Sequence, residues 1–249
     1  MGGADGSFRT TRWTRIEAAQ TADSTRRREA VKDIVDQYWK PVYVYLRRKG
    51  RTDADAKDLA QGFFLEIVLG GPLLQKADRA RGMFRKLLQA ALRNYVTSLH
   101  RAEKAQKRSP PGGLVSLNSF EPPEIPVPDG GAGPEEAFTY AWASQLLDGA
   151  LAATEEACRA AGQGKHWEVF RLTELEPKLR GAAAPTLKEV CRRLGIAGAV
   201  RASNMKITAK RRFRTILRAT VRQFVVSDEE VEEEIRDLIQ ILSRRPAGP

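Results

Sequence analysis

The sequence predicts an all-α protein of two small helical domains joined by a linker rich in proline and glycine, and three observations predict it. Apolar residues recur at helical spacing along most of the chain, and hardly any stretch alternates with a strand's period of two. Residues 109–134, SPPGGLVSLNSFEPPEIPVPDGGAGP, hold seven of the 13 prolines and five glycines. Proline removes backbone donors and glycine adds entropy that folding must overcome, so no packed element is expected there. Helix-start signals, a Ser or Thr with an acid three residues on, stand at Thr52, Thr186 and Ser227. The expected order is an N-terminal extension (1–22), a helical domain (23–108), the linker (109–134), a second helical domain (135–226) and an acidic C-terminal helix and tail (227–249).

Composition narrows the class. A chain of 249 residues, 42% of them hydrophobic, has enough material for one large core or two small ones. The formal net charge of +11 points to a polyanionic partner, nucleic acid ahead of an anionic membrane surface. The two cysteines, Cys158 and Cys191, form no pattern, which suits a reducing, cytoplasmic setting. The opening residues MGGADGSFRTTRW contain no apolar run of a signal peptide, and no stretch approaches the roughly 20 apolar residues of a membrane span, so no membrane insertion is expected.

In the first domain, VKDIVDQYWKPVYVYLRRKG is amphipathic, with Tyr38, Trp39, Tyr43 and Tyr45 as core candidates. Pro41 is expected to kink this helix or start a new turn. Next comes DADAKDLAQGFFLEI, capped by Thr52 with Asp55. Ala56, Leu59, Ala60, Phe63, Phe64 and Ile67 follow helical spacing, and Gly70, Gly71 and Pro72 stop the helix. DADAKD lacks the glycine and closing glutamate of a calcium loop. The long segment RGMFRKLLQAALRNYVTSLHRAEKAQKR predicts a helix with a buried stripe of Phe84, Leu87, Leu88, Ala91, Leu92, Tyr95 and Leu99. Glu103 is the only acid between Arg79 and Arg108, a one-sided bias that favours phosphate contacts. In the linker, Leu114, Val115 and Leu117 retain the capacity to dock.

In the second domain, Phe138, Trp142 and Leu146 start an amphipathic helix running to Gly162 and Gly164, and KHWEVFRL reads as a short helix. TLKEVCRRLGI follows Pro185. Thr186 and Glu189 form a capping box, Leu187, Val190, Cys191 and Leu194 share a face, and Gly195 ends the helix. A second helix lies within AGAVRASNMKITAKRRFRTILRATVRQFV, with seven basic residues and no acid from Arg201 to Arg218. Helix, short glycine turn and basic helix is the helix-turn-helix order. Phe213, Ile216 and Leu217 read as core. The tail SDEEVEEEIRDLIQIL carries an apolar face of Val231, Ile235, Leu238 and Leu242. It is expected to pack on the C-terminal domain, with shielding of a basic DNA surface as the alternative.

The ordered segments of the first domain resemble the second conserved region of sigma-70 family RNA polymerase factors, of the small extracytoplasmic-function type. Asp55, Ala56, Asp58, Leu59, Gln61 and Phe64 match one motif, and Phe84, Arg85, Leu87, Arg93, Asn94 and Arg101 match another. FRTTRW and AQKR also look like one branch of that group. Lys57 stands for the usual glutamate, Gly62 for an acid and Ser98 for an aspartate; Gly62 should cost the helix about 1 kcal/mol against alanine. The resemblance implies that Asp55, Asp58 and Gln61 contact a coiled coil of core RNA polymerase. It further implies that Asp78, Arg79, Arg81, Arg85, Arg93, Asn94, Thr97 and Arg101 handle the minus-ten element, one base of which is flipped out. More loosely, Glu189, Val190, Leu194 and Gly195 are similar to the family's fourth conserved region. That implies minus-thirty-five recognition by Arg201, Ser203, Asn204, Lys206, Lys210 and Arg211, taken as a group because the helix register is open. Promoter DNA and core polymerase are thus the implied partners, with room for an anti-sigma factor.

Enzymatic readings are disfavoured, and no cofactor or metal is expected. The two histidines, His100 and His166, sit among polar neighbours, no cluster has metal-ligand spacing, and no phosphate-cradling glycine loop occurs. Aspartates 53, 55 and 58 lie on one helix and do not converge as a nuclease would need. The alternative function is a stand-alone helix-turn-helix regulator, which would have no use for the acidic segment at residue 53.

Overall fold

The computed structural model describes residues 19–20, 24–70, 73–77, 84–106, 133–181, 183–225 and 228–243. Among these every regular element is helical. The chain divides into two compact units, residues 1–144 with 222–249, and residues 145–221. The expected boundaries of the second domain, 135 and 226, therefore move inward to 145 and 221. The expected linker lies outside the described residues, save its end at 133–134.

The first unit begins with α1 (Ser24–Arg48), which runs through Pro41 without a break. Proline costs a helix one backbone bond, and here dense packing holds the turn regardless. Residues 42 to 46 (Val42, Tyr43, Val44, Tyr45 and Leu46) are all buried, so the helix is enclosed on every side at that level. It ends in paired reverse bonds, Arg51 N–H to the Leu46 carbonyl (3.3 Å) and Gly50 N–H to the Arg47 carbonyl (3.0 Å).

Helix α2 (Asp53–Gly62) opens at Thr52, whose hydroxyl oxygen accepts from the Asp55 N–H (3.2 Å) and donates to the Asp55 carboxylate (2.7 Å). It passes directly into a π-helical segment, Phe63–Leu69, closed by the Gly70 N–H on the Leu65 carbonyl (2.9 Å). The wider π turn brings Val68 into the core, while Ile67, the expected core residue, is only half-buried. Phe64 stacks on Trp39 at 5.9 Å between ring centroids, and Phe63 meets Tyr95 at 5.6 Å.

A short α3 (Leu73–Lys76) is pinned by Gln20, whose side-chain amide donates to the carbonyls of Leu74 (2.6 Å) and Ala77 (3.2 Å). Then α4 (Phe84–Gln106) buries Phe84, Leu88, Leu92 and Tyr95, as the expected stripe required. Each fully buried leucine contributes about 1.5–3 kcal/mol of apolar transfer. Leu87, Ala91 and Leu99 flank that stripe half-exposed.

Helix α5 (Pro134–Ala160) starts with proline, whose missing N–H costs nothing at a first turn. It spans the division between units. In the second unit follow α6 (Gly164–Phe170), a π-helical segment (Arg171–Leu175), α7 (Glu176–Arg180), α8 (Leu187–Leu194) and α9 (Ala199–Arg222). One core cluster gathers Val169, Leu172, Val190, Cys191, Ile196, Ala202 and Met205; another gathers Cys158, Trp167, Phe170 and Ala209, with Phe213 against it. Both cysteines are free and buried.

The last element, α10 (Asp228–Ser243), buries Val231, Glu234 and Leu238. Its expected place was on the C-terminal domain. Instead it belongs to the first unit, where Glu234 pairs with Arg85 of α4. Its expected cap, Ser227, lies outside the described residues. No helix among the described residues is long and apolar enough to cross a membrane.

Candidate functional site

Three surfaces carry the candidate residues. The first is the exposed side of α2. Tyr43 donates its hydroxyl to Asp53 (2.5 Å), Lys57 pairs with the same carboxylate (3.0 Å), and Arg47 lies 3.5 Å away. The Tyr43 hydrogen bond, then Lys57, holds the Asp53 carboxyl below its ordinary range, with burial opposing only weakly. Asp53 and Lys57 are thus engaged with each other and with α1. Asp55 and Asp58 remain exposed, three residues apart on one face, and half-buried Gln61 follows after three more. Leu65 continues that line at 46% exposure. Sequence reading passed over Leu65 because a regular helix gives no reason to expect so apolar a residue outside.

Glycine at position 62, inside a helical run, has a local cause. A Cβ built there would lie 2.6 Å from the Tyr95 hydroxyl. Glycine is what lets α4 approach α2 this closely. Burial, and then the Glu66 charge, pushes the Tyr95 phenol up to about 12.

The second surface is on α4. Arg93, Asn94, Thr97 and Arg101 are all exposed, and the Thr97 hydroxyl donates back to the Arg93 carbonyl (2.8 Å). Spacings of three and four place Asn94, Thr97 and Arg101 along one strip with Arg93 beside it. Asp78, Arg79 and Arg81 lie outside the described residues. Phe84 is core, edge-on to Tyr38 at 5.6 Å. Arg85 departs from its expected place on this surface. Its side chain is 11% exposed, paired with Glu234 and laid over the Trp142 ring at 4.1 Å.

The third surface is the helix-turn-helix. The capping box is complete: the Thr186 N–H donates to the Glu189 carboxylate (2.8 Å), and the Glu189 N–H to the Thr186 hydroxyl oxygen (3.3 Å). The Thr186 backbone bond, then its side-chain bond, keeps the Glu189 carboxyl below its ordinary range. The turn needs left-handed backbone at Gly195 (φ +61°) and Gly198 (φ +87°), while Ile196 between them drops into the core. Helix α9 then buries Ala202, Met205 and Ala209 and turns Arg201, Asn204 and Arg211 outward.

Not all the expected group projects. Ser203, Lys206 and Lys210 are half-buried, and the two lysines close on Glu174, at 3.8 and 3.2 Å. Burial would raise the Glu174 carboxyl, but bonds from Lys178 and Lys210 outweigh it and bring it below its ordinary range. The outer ridge of α9 includes two residues sequence reading missed, Val200 at 77% exposure and Ile207 at 49%. With Asn204 and Arg211 they fall at intervals of four, three and four, a pattern legible once the register is fixed. Apolar groups beside an amide and guanidinium can pack on thymine methyls while the polar groups bond base edges or phosphates. His166 is lowered below its ordinary range by burial, then by Arg212 and Arg201.

Among the described residues, no group of three or more His, Cys, Asp or Glu side chains is placed to hold a metal ion. Comparison with protein-family models, with curated proteins and with solved structures gives no match.

Proposed function

We propose that this chain is an RNA polymerase sigma factor of the extracytoplasmic-function type, binding core polymerase and directing promoter recognition and melting. The observation that carries the reading is α9. It follows a capped helix and a four-residue glycine turn, has no acid from Arg201 to Arg218, and turns Val200, Asn204, Ile207 and Arg211 to solvent. Such a ridge suits the major groove of a minus-thirty-five element, with basic neighbours anchoring phosphates. The α4 strip of Arg93, Asn94, Thr97 and Arg101 would then follow the separated strand of the minus-ten element. Melting is driven by binding energy, since unstacking costs only a few kcal/mol per base. The α2 face of Asp55, Asp58, Gln61 and Leu65 would dock on a basic coiled coil of the polymerase, charge giving register and leucine giving contact area.

The second reading, a stand-alone helix-turn-helix regulator, draws support from the separate cores of the second unit. The deciding experiment is co-elution with core polymerase on size exclusion, comparing wild type with Asp55→Lys/Asp58→Lys. Loss of co-elution in the variant supports the sigma reading. Failure of both proteins to co-elute while the wild type binds duplex DNA supports the regulator.

A further inference from the structure

The acidic helix α10, the last described element, reaches the element that the reading above assigns to single-stranded DNA through one buried ion pair. Arg85 Nη1 lies 3.2 Å from Glu234 Oε1, with the two side chains 11% and 2% exposed. On its other side the guanidinium covers the Trp142 indole, which packs edge-on against Phe224 at 5.5 Å. Arg222, at the start of the connection to α10, pairs with Asp228 at 2.5 Å and donates to the Val225 carbonyl at 3.2 Å. The buried face of α10 reads Val231, Glu234, Leu238, a charge in the middle of an apolar stripe.

A permanent structural helix gains little from that charge. Desolvating a carboxylate and a guanidinium offsets most of their attraction, and apolar side chains of similar volume usually serve stability as well or better. Burial pushes the Glu234 carboxyl upward; Arg85 and Lys86 oppose that push, and Asp237 and Glu230 reinforce it. What an Arg–Glu pair supplies is selectivity for an oppositely charged, exchangeable partner. Arg85 belongs to a helix on which Lys86, Arg93 and Arg101 are exposed. A phosphate satisfies a guanidinium in the same geometry as a carboxylate.

We propose that α10 is an intramolecular antagonist of nucleic-acid binding: Glu234 occupies Arg85 in the free protein, and single-stranded DNA on α4 displaces it. The proposal rests on the nucleic-acid reading of α4. It makes the acidic helix the chain's own competitor and leaves the free factor weakened for DNA until that helix is released.

The test uses the full-length chain and a fluorescein-labelled single-stranded oligonucleotide of mixed sequence, read by anisotropy. Glu234→Gln should bind more tightly by about 5-fold or more, the low end of ordinary coupling between sites. Glu233→Gln removes the same charge from an exposed position and should change affinity by clearly less than Glu234→Gln does, because exposed charges are worth little. Equal gains in the two variants would overturn the proposal, leaving only net charge. If Glu234→Gln binds like wild type while Arg93→Ala/Arg101→Ala binds more weakly, the antagonist fails and the α4 reading stands. If neither change matters, both fail. Hydrogen exchange on the wild type removes dependence on any variant's folding. Adding the oligonucleotide should speed exchange across residues 231–242, and unchanged protection there would refute displacement.

Discussion

Gly62→Ala separates helix propensity from packing at one position. In an ordinary helix interior, alanine in place of glycine gains about 1 kcal/mol. Here the new methyl would arrive 2.6 Å from the Tyr95 hydroxyl, well inside van der Waals contact. The ring cannot swing away cheaply, because Tyr95 is 8% exposed and its ring lies 5.6 Å from that of Phe63. Overpacking of this kind costs about 1–3 kcal/mol. The net expectation is therefore a loss of up to about 2 kcal/mol, and no gain. Removing the hydroxyl removes the collision. In a Tyr95→Phe background, the same Gly62→Ala change should stabilise by about 1 kcal/mol. A four-member cycle, followed by urea unfolding with circular dichroism, reads the coupling directly. Its expected size is about 1–3 kcal/mol. A Gly62→Ala effect that is stabilising and equal in both backgrounds would refute the close approach of α4 to α2, and with it the explanation offered for glycine at this position.

Thr186→Ala removes one half of the capping box and should cost about 1 kcal/mol, seen as a lowered melting temperature, with Thr186→Ser largely restoring it. Arg211→Ala should weaken duplex DNA binding and reduce the slope of log affinity against log salt by about one contact's worth, whereas Lys206→Ala, already paired with Glu174, should change the slope less. For Glu234 the native pKa lies above the ordinary 4.5 because of burial, so the native state binds the extra proton. Stability attributable to this group is fully present below about pH 4.5 and falls as pH rises towards the raised value. Arg85 and Lys86 of α4 moderate the effect, and Asp237 and Glu230 of α10 enlarge it. The melting temperature of Glu234→Gln relative to wild type should accordingly rise between pH 4.5 and neutrality; a pH-independent difference would contradict the assignment.

The elements legible in the sequence are those whose cause is local. Thr186 and Glu189 reach each other within one turn, so the capping box follows from spacing alone. Phe84, Leu88, Leu92 and Tyr95 recur at helical spacing, and any partner that covers such a stripe buries it. Gly195 ends α8 because its φ is open to glycine at little cost. The exposed positions of Asp58, Arg93 and Asn94 follow from the same periodicity, since each lies two residues from a buried position on its own helix and so on its opposite side.

What sequence reading could not supply depends on residues distant in the chain. Pro41 stays within a continuous α1 because the packing around it, not the proline, decides the backbone there. The π-helical segment after Gly62 shifts the core from Ile67 to Val68, and hydrophobic periodicity assumes no such shift. Lys206 and Lys210 look like free cations on a basic helix until Glu174 is folded against them. Arg85 and Glu234 are 149 residues apart (234 − 85), and no local rule pairs them. Helix formation is governed largely by neighbours within about four residues, so sequence alone determined where most of the helices are and, where the turns stay regular, much of the face each keeps dry. Which charges are neutralised from afar, and hence which remain to meet a partner, only the tertiary structure decided.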